Sequence, residues 1–322
     1  MKILGFNFLT LRQIIFLNKC TYGKWTINKK TGLVDIEGDF NCQYKGLTDF
    51  KGVRFGVVTR TFYCEDNNLT SLEGAPQEVK GSFYCSRNEL TSLEGAPREV
   101  PGGFWCDHNK LTSLEGAPQV VEGSFDCSYN NLTSLEGAPQ VVEGSFDCSY
   151  NNLTSLEGAP QEVGGDFWCG DNKLTSLKGA PREVGVDFYC RNNNLTSLEG
   201  APREVPGGFN CSNNSLTSLE GAPQKVGGYF DCDNNSLTSL EGAPQEVGGN
   251  FSCSDSPISG KTLRLVWETM CEKKIDYWFA LSILKSEIKI EDWKLLEGEL
   301  DGRISKDAQK GISMMDRFGH FD

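Results

Sequence analysis

Residues 104–124 read Phe104-Trp105-Cys106-Asp107-His108-Asn109-Lys110-Leu111-Thr112-Ser113-Leu114-Glu115-Gly116-Ala117-Pro118-Gln119-Val120-Val121-Glu122-Gly123-Ser124, and Phe125 starts the pattern again. From about residue 62 to 258 the unit F-x-C-x-x-N-x-L-T-S-L-E-G-A-P-x-x-V-x-G-x recurs every 21 residues. Self-similarity at a fixed short period decides the fold, because one unit cannot bury its own apolar side chains and stacked neighbours can.

Each column of the repeat has a physical reading. Phenylalanine stands two residues before cysteine from Phe40 and Phe62 to Phe251, the spacing that puts both on one face of a strand. Leu69 through Leu237, Leu72 through Leu240 and Val79 through Val247 supply the rest of the core. The asparagines Asn67, Asn88, Asn109, Asn130, Asn151, Asn172, Asn193, Asn214 and Asn235 each offer one carbonyl acceptor and two amide donors, which suits backbone groups where a strand turns. Gly-Ala-Pro interrupts regular hydrogen bonding, so the outer segment is expected to be extended or turn-like and not helical. The glycine before each phenylalanine is expected to supply a second bend. The expected fold is a β-rich solenoid with one parallel sheet of about eleven strands, the number of F-x-C triplets.

The cysteines recur with the coil, from Cys64 to Cys253, with Cys42 placed 22 residues earlier. A column of thiols at one structural position behaves as a set of small hydrophobes, and this reading outweighs a disulfide framework or a metal site. Free thiols imply a reducing compartment, and the expected location is the cytoplasm, that of the host if the chain is viral. No stretch reaches the ~18 apolar residues of a membrane span, so no membrane partner is expected. Arg12 interrupts the apolar start, and Lys19 spoils Leu17-Asn18-Lys19-Cys20 as a lipobox.

The chain divides into an N-terminal segment and hairpin cap (1–38), a solenoid (39–258) and a C-terminal helical cap or small docking domain (259–322). The hairpin is read from Trp25, Ile27, Val34 and Ile36 alternating around Asn28–Gly32. Helical spacing marks 260–274, with further helices near 275–287 and 291–299. Net charge is −13, and the first 256 residues carry −12 of it. That balance opposes nonspecific nucleic-acid binding and favours basic partners.

F-x-C-x-x-N-x-L resembles the L-x-L-x-x-N-x-L core of leucine-rich repeats, with Phe and Cys in place of leucines. The short period and the proline after L-T-S-L resemble the bacterial effector subclass. L-T-S-L-E-G-A-P is similar to repeats of proteins encoded by T4-related tailed bacteriophages, as are the opening Gly32–Gly38 and the degenerate first repeat Leu47–Gly56. The resemblance covers roughly residues 24–275 and implies the fold and a viral origin. Effectors with such repeats often carry a ubiquitin ligase with a Cys-x-Asp motif. Cys271-Glu272-Lys273 does not match it.

Between inward Phe and inward Cys, one residue per coil must point outward. That column reads Asn41, Tyr63, Tyr84, Trp105, Asp126, Asp147, Trp168, Tyr189, Asn210, Asp231 and Ser252, and it varies while the core columns hardly do. Two readings stand, neutral drift and recognition. Recognition makes Tyr63, Tyr84, Trp105, Asp126, Asp147, Trp168, Tyr189 and Asp231 the candidate partner-binding residues. Asp107, His108, Asp166, Asp171, Asp187, Tyr129 and Tyr150 flank them. Aromatic anchors beside carboxylates suit a basic or arginine-bearing protein surface. Truncating Trp105 or Trp168 is expected to cost folding little.

Catalysis is not expected. His108 and His320 are the two histidines, and neither sits in a partner motif. Asp126 and Asp147 alone fall short of a calcium cage, and no other metal or cofactor is implied. The leading expectation is a non-enzymatic, phage-encoded module that binds a host or defence protein. The alternatives are a virion or surface-attachment component and an acidic mimic of nucleic acid. Lys178 interrupts the Glu73–Glu199 column that such mimicry would use. The oligomeric state and the partner's name are not legible in the residues.

Overall fold

The structure is a computed structural model that describes residues 9–253 other than 239, together with 256. The expected C-terminal helices and Cys271 lie outside these residues. Eleven short strands, one per F-x-C triplet from Phe40 to Phe251, pair in parallel along the main sheet. Register is strict: Phe125 lies opposite Phe104 and Phe146, and Asp126 lies opposite Trp105 and Asp147. The amides of Phe125 and Cys127 donate to Ser145 O and Asp147 O at 2.8 Å. The phenylalanine rings stack as a continuous column, 5.5 Å apart and 11° from parallel between Phe125 and Phe146. Burying each such side chain contributes roughly 1.5–3 kcal/mol.

The outer segment is extended, as the proline and glycine pattern implies. Its Glu-Val pairs, with Val-Val or Lys-Val at some coils, form short parallel ladders of their own from Glu99 to Val184 and from Glu204 to Val247. The strand Val34–Asn41 is long enough to pair with Phe55–Val58 at its start and Phe62–Tyr63 at its end, so it ties Phe55–Val58 and Glu78–Val79 into the main sheet.

The asparagine column holds the turns. Asn130 Nδ2 donates to Cys106 O, Cys127 O and Ser128 O, each at 3.1 Å, and its Oδ1 accepts from Leu111 N at 2.9 Å. Each asparagine thus bonds its own coil and the one before it. A second staple runs just before each phenylalanine: Ser124 Oγ accepts from Ser145 N, Ser145 Oγ from Asp166 N, and Asp166 Oδ1 from Asp187 N.

The two glycine positions act differently from expectation. The glycine two residues before the phenylalanine, as at Gly123 and Gly144, does not need left-handed backbone. It is small because coils touch there: a Cβ on Gly123 would lie 2.6 Å from Gly103 N. Left-handed backbone falls instead at the glycine of Glu-Gly-Ala-Pro (Gly116, φ +88°) and at the residue preceding each asparagine, such as Tyr129 at φ +52°.

The first coil is closed by a helix that the sequence reading missed. Helix α1 (Leu11–Cys20) begins with a capping box between Thr10 and Gln13. Leu17 and Cys20 are fully buried, and the Phe16 ring meets Phe40 edge-on at 5.6 Å. The hairpin strand Thr21–Ile27 pairs antiparallel with Val34–Asn41 but buries no residue fully. Cys20 and the column cysteines from Cys42 to Cys232 are buried and carry no disulfide. Burial holds the column thiols well above their ordinary range, as at Cys127, which keeps them protonated and unreactive.

Candidate interaction face

The outward column forms two aromatic platforms with an acidic gap between them. Tyr63, Tyr84 and Trp105 stack in succession, the first pair at 5.0 Å and 11°, the second at 4.1 Å and 1°. The Trp105 ring is laid over Gly103, where a Cβ would meet it at 2.2 Å. Trp168 and Tyr189 form the second platform, at 6.0 Å and tilted by 49°. The Tyr189 hydroxyl donates to Asp187 Oδ2 at 2.7 Å. All of these rings are half-buried. The two tryptophans are therefore not the isolated exposed rings that the spacing suggested. Truncating Trp105 forfeits its stack on Tyr84, worth about 1 kcal/mol, which exceeds the negligible cost expected from sequence.

Asp126 and Asp147 occupy neighbouring strands between the platforms. Asp126 Oδ1 accepts from Ser128 N at 2.9 Å, and Asp147 Oδ1 accepts from Ser149 N at 2.8 Å. Burial, and then the charge of Asp147, push the Asp126 carboxyl up to about 6. Asp147 is raised by burial as well. Glu65, further along the floor, is pushed by burial to about 7. Asp231 lies two coils beyond Tyr189, beside Asn210, and is separate from the central group.

These shifts set the sign of a pH effect. A carboxyl raised in the folded state binds protons there that the unfolded chain has already released. The folded protein therefore loses stability as pH rises, from about 4 through about 6 on account of Asp126 and on through about 7 on account of Glu65. Asp126→Asn removes the penalty and keeps an acceptor for Ser128 N. The variant should unfold at a higher urea concentration than the parent at pH 7.5, by about 2–3 kcal/mol, and by little at pH 4.5. Equal gains at both pH values would disprove the burial of an ionised Asp126.

Of the flanking residues, Asp166 and Asp187 spend one carboxylate oxygen each on the next coil's amide. They are fasteners as much as surface. Asp107 Oδ2 and His108 Nδ1 lie 2.9 Å apart. His108, Tyr129 and Tyr150 stack along the rim at 4.3 and 4.1 Å. Tyr129 and Tyr150 are 44% and 38% exposed and sit in left-handed backbone that bulky residues seldom adopt. The cue in sequence was the asparagine and aspartate content of that column elsewhere, at Asp66, Asp171, Asn192, Asn213 and Asn234.

One signal went unread. Residues 111–140 recur without a change at 132–161. Asp126/Asp147, Ser128/Ser149, Tyr129/Tyr150 and Val120/Val141 are therefore copies, and the acidic gap is one coil surface presented twice. The exposed valines fall where most coils carry glutamate, in the separate Glu-Val ladder.

No family model matches the chain, and no curated protein matches it. Among solved structures it is similar to YopM from Yersinia enterocolitica WA-314, at 18% identity and a TM-score of 0.46, over 69% of this chain. The match spans 61% of that protein's chain, less than two thirds of its length. The fold rests on the coils themselves, and they make this chain a parallel β-solenoid of 21-residue units.

Proposed function

We propose that the chain is a non-enzymatic protein-interaction module whose partner docks on the outward face of the main sheet across Tyr63–Tyr189. One observation carries the reading. A core of near-identical coils supports a face whose side chains differ from coil to coil and group into aromatic and acidic blocks. Platforms of half-buried rings are pre-ordered, so docking on them costs little side-chain entropy. The partner of this reading is a protein with a basic surface, and the setting is the cytoplasm of a bacterial host, with the chain encoded by a phage that acts on a host or defence protein. The phage setting rests on the resemblance of L-T-S-L-E-G-A-P alone.

The test is affinity capture from host and infected-cell lysates with the wild-type chain and the Trp105→Ala/Trp168→Ala variant in parallel. A captured protein should be lost with the variant, at a cost of 2 kcal/mol or more, or about thirtyfold in affinity. The variant should still unfold cooperatively. A partner held equally by both proteins would overturn the assignment of this face.

A further inference from the structure

The first platform does not merely flank the acidic gap; it turns one ring face toward it. The Trp105 ring lies over its own coil at Gly103 and within 1° of parallel to Tyr84, which covers one face at 4.1 Å. Its other face therefore looks along the solenoid axis toward the coil of Phe125. The next two coils carry no ring in the outward column. They carry Asp126 and Asp147, whose carboxylates turn toward Ser128 N and Ser149 N, and the small Ser124 and Ser145 stand before their phenylalanines. Trp168 opens the next coil. Three coil steps of about 4.8 Å separate the tryptophan backbones, so a trough of about 14 Å lies between them. Neither the outward column nor the column before each phenylalanine contains a lysine or arginine from coil Phe40 to coil Phe251. The negative charge in the trough has no cation of its own strands above it.

Resting on the protein-interaction reading above, we infer that the trough receives arginine side chains of the partner, a guanidinium lying flat on the free face of Trp105 and donating to Asp126. The chemistry discriminates between the two basic side chains. A guanidinium is planar, weakly hydrated and forked, so it can stack on an indole and bond a carboxylate at its edge at the same time. An ammonium is a strongly hydrated point charge and loses more on entering a half-buried trough. The carboxylates are already partly desolvated, so a cation that stacks regains the energy that burial withholds. The coil duplication repeats the carboxylate one step further on, which gives a second arginine the same Asp–Ser setting at Asp147.

The test compares two peptides of equal charge, acetyl-(Gly-Arg)3-amide and acetyl-(Gly-Lys)3-amide, titrated calorimetrically into the full chain at pH 7.5 and 0.15 M salt. The arginine peptide is expected to bind at least tenfold more tightly. Trp105→Leu, which keeps an apolar side chain but removes the π face, should bring the arginine peptide down to the lysine level. Asp126→Asn/Asp147→Asn should weaken both. Equal affinities on the wild-type chain, or a preference that survives Trp105→Leu, would overturn the inference. If the peptides show no preference while Trp105→Ala/Trp168→Ala still loses a captured partner, the arginine assignment alone fails. If capture also survives, the interaction face itself is wrong.

Discussion

Replacing Asn130 with alanine should remove about 3–5 kcal/mol of stability, while the same change at the next residue, Asn131, should stay within about 0.5 kcal/mol. Asn130 is buried; its two amide N–H groups are shared among three backbone carbonyls and its oxygen accepts from one backbone amide. Alanine leaves Leu111 N without its acceptor and three carbonyls without the amide, in a place water does not reach. Asn131 is exposed. Urea unfolding of the two variants side by side checks the claim, and equal midpoints would mean that the ladder does not hold the coils together.

The second large effect concerns register. Deleting Leu132–Asn152 removes one whole copy of the duplicated coil and leaves Asn131 followed by Leu153, the same dipeptide as Asn131-Leu132. The shortened chain should fold and unfold cooperatively, losing only one coil's share of stability, because each coil contacts its neighbours alone. Deleting 132–143 instead removes about half a coil. It sets outward residues against inward ones in every ladder that crosses the cut, and it should abolish cooperative unfolding. Near-ultraviolet circular dichroism through a urea titration separates the outcomes. A half-coil deletion that folds as well as the full-coil deletion would contradict strict stacking.

The repeat was legible because the coils can be compared within one chain. Phe125, Cys127, Leu132 and Leu135 announce the core by recurring, and Asn130 announces a ladder because its amide suits a turn. The end of the stack was not legible in the same way. Leu11 and Ile15 of helix α1 are exposed, so its apolar residues do not fall on one face. The sequence was weighed as a leader segment, and the Thr10/Gln13 capping box was the clue left unused. The candidate face was legible in direction but not in contact. Spacing places Trp105 outward. It cannot say that Trp105 is stacked on Tyr84, that Asp166 fastens the next coil, or that rim tyrosines occupy left-handed backbone. Each of these depends on side-chain torsions and neighbour distances that periodicity does not carry.

The most direct test of the interaction face is site-specific photocrosslinking with the captured partner. A photoreactive residue replacing Asp126 stands on the outward face of the main sheet, and one replacing Val141 stands exposed in the separate Glu-Val ladder. The account predicts a crosslink to the partner from position 126 and none from position 141. A crosslink from 141 with none from 126 would place the partner on the Glu-Val ladder and contradict it.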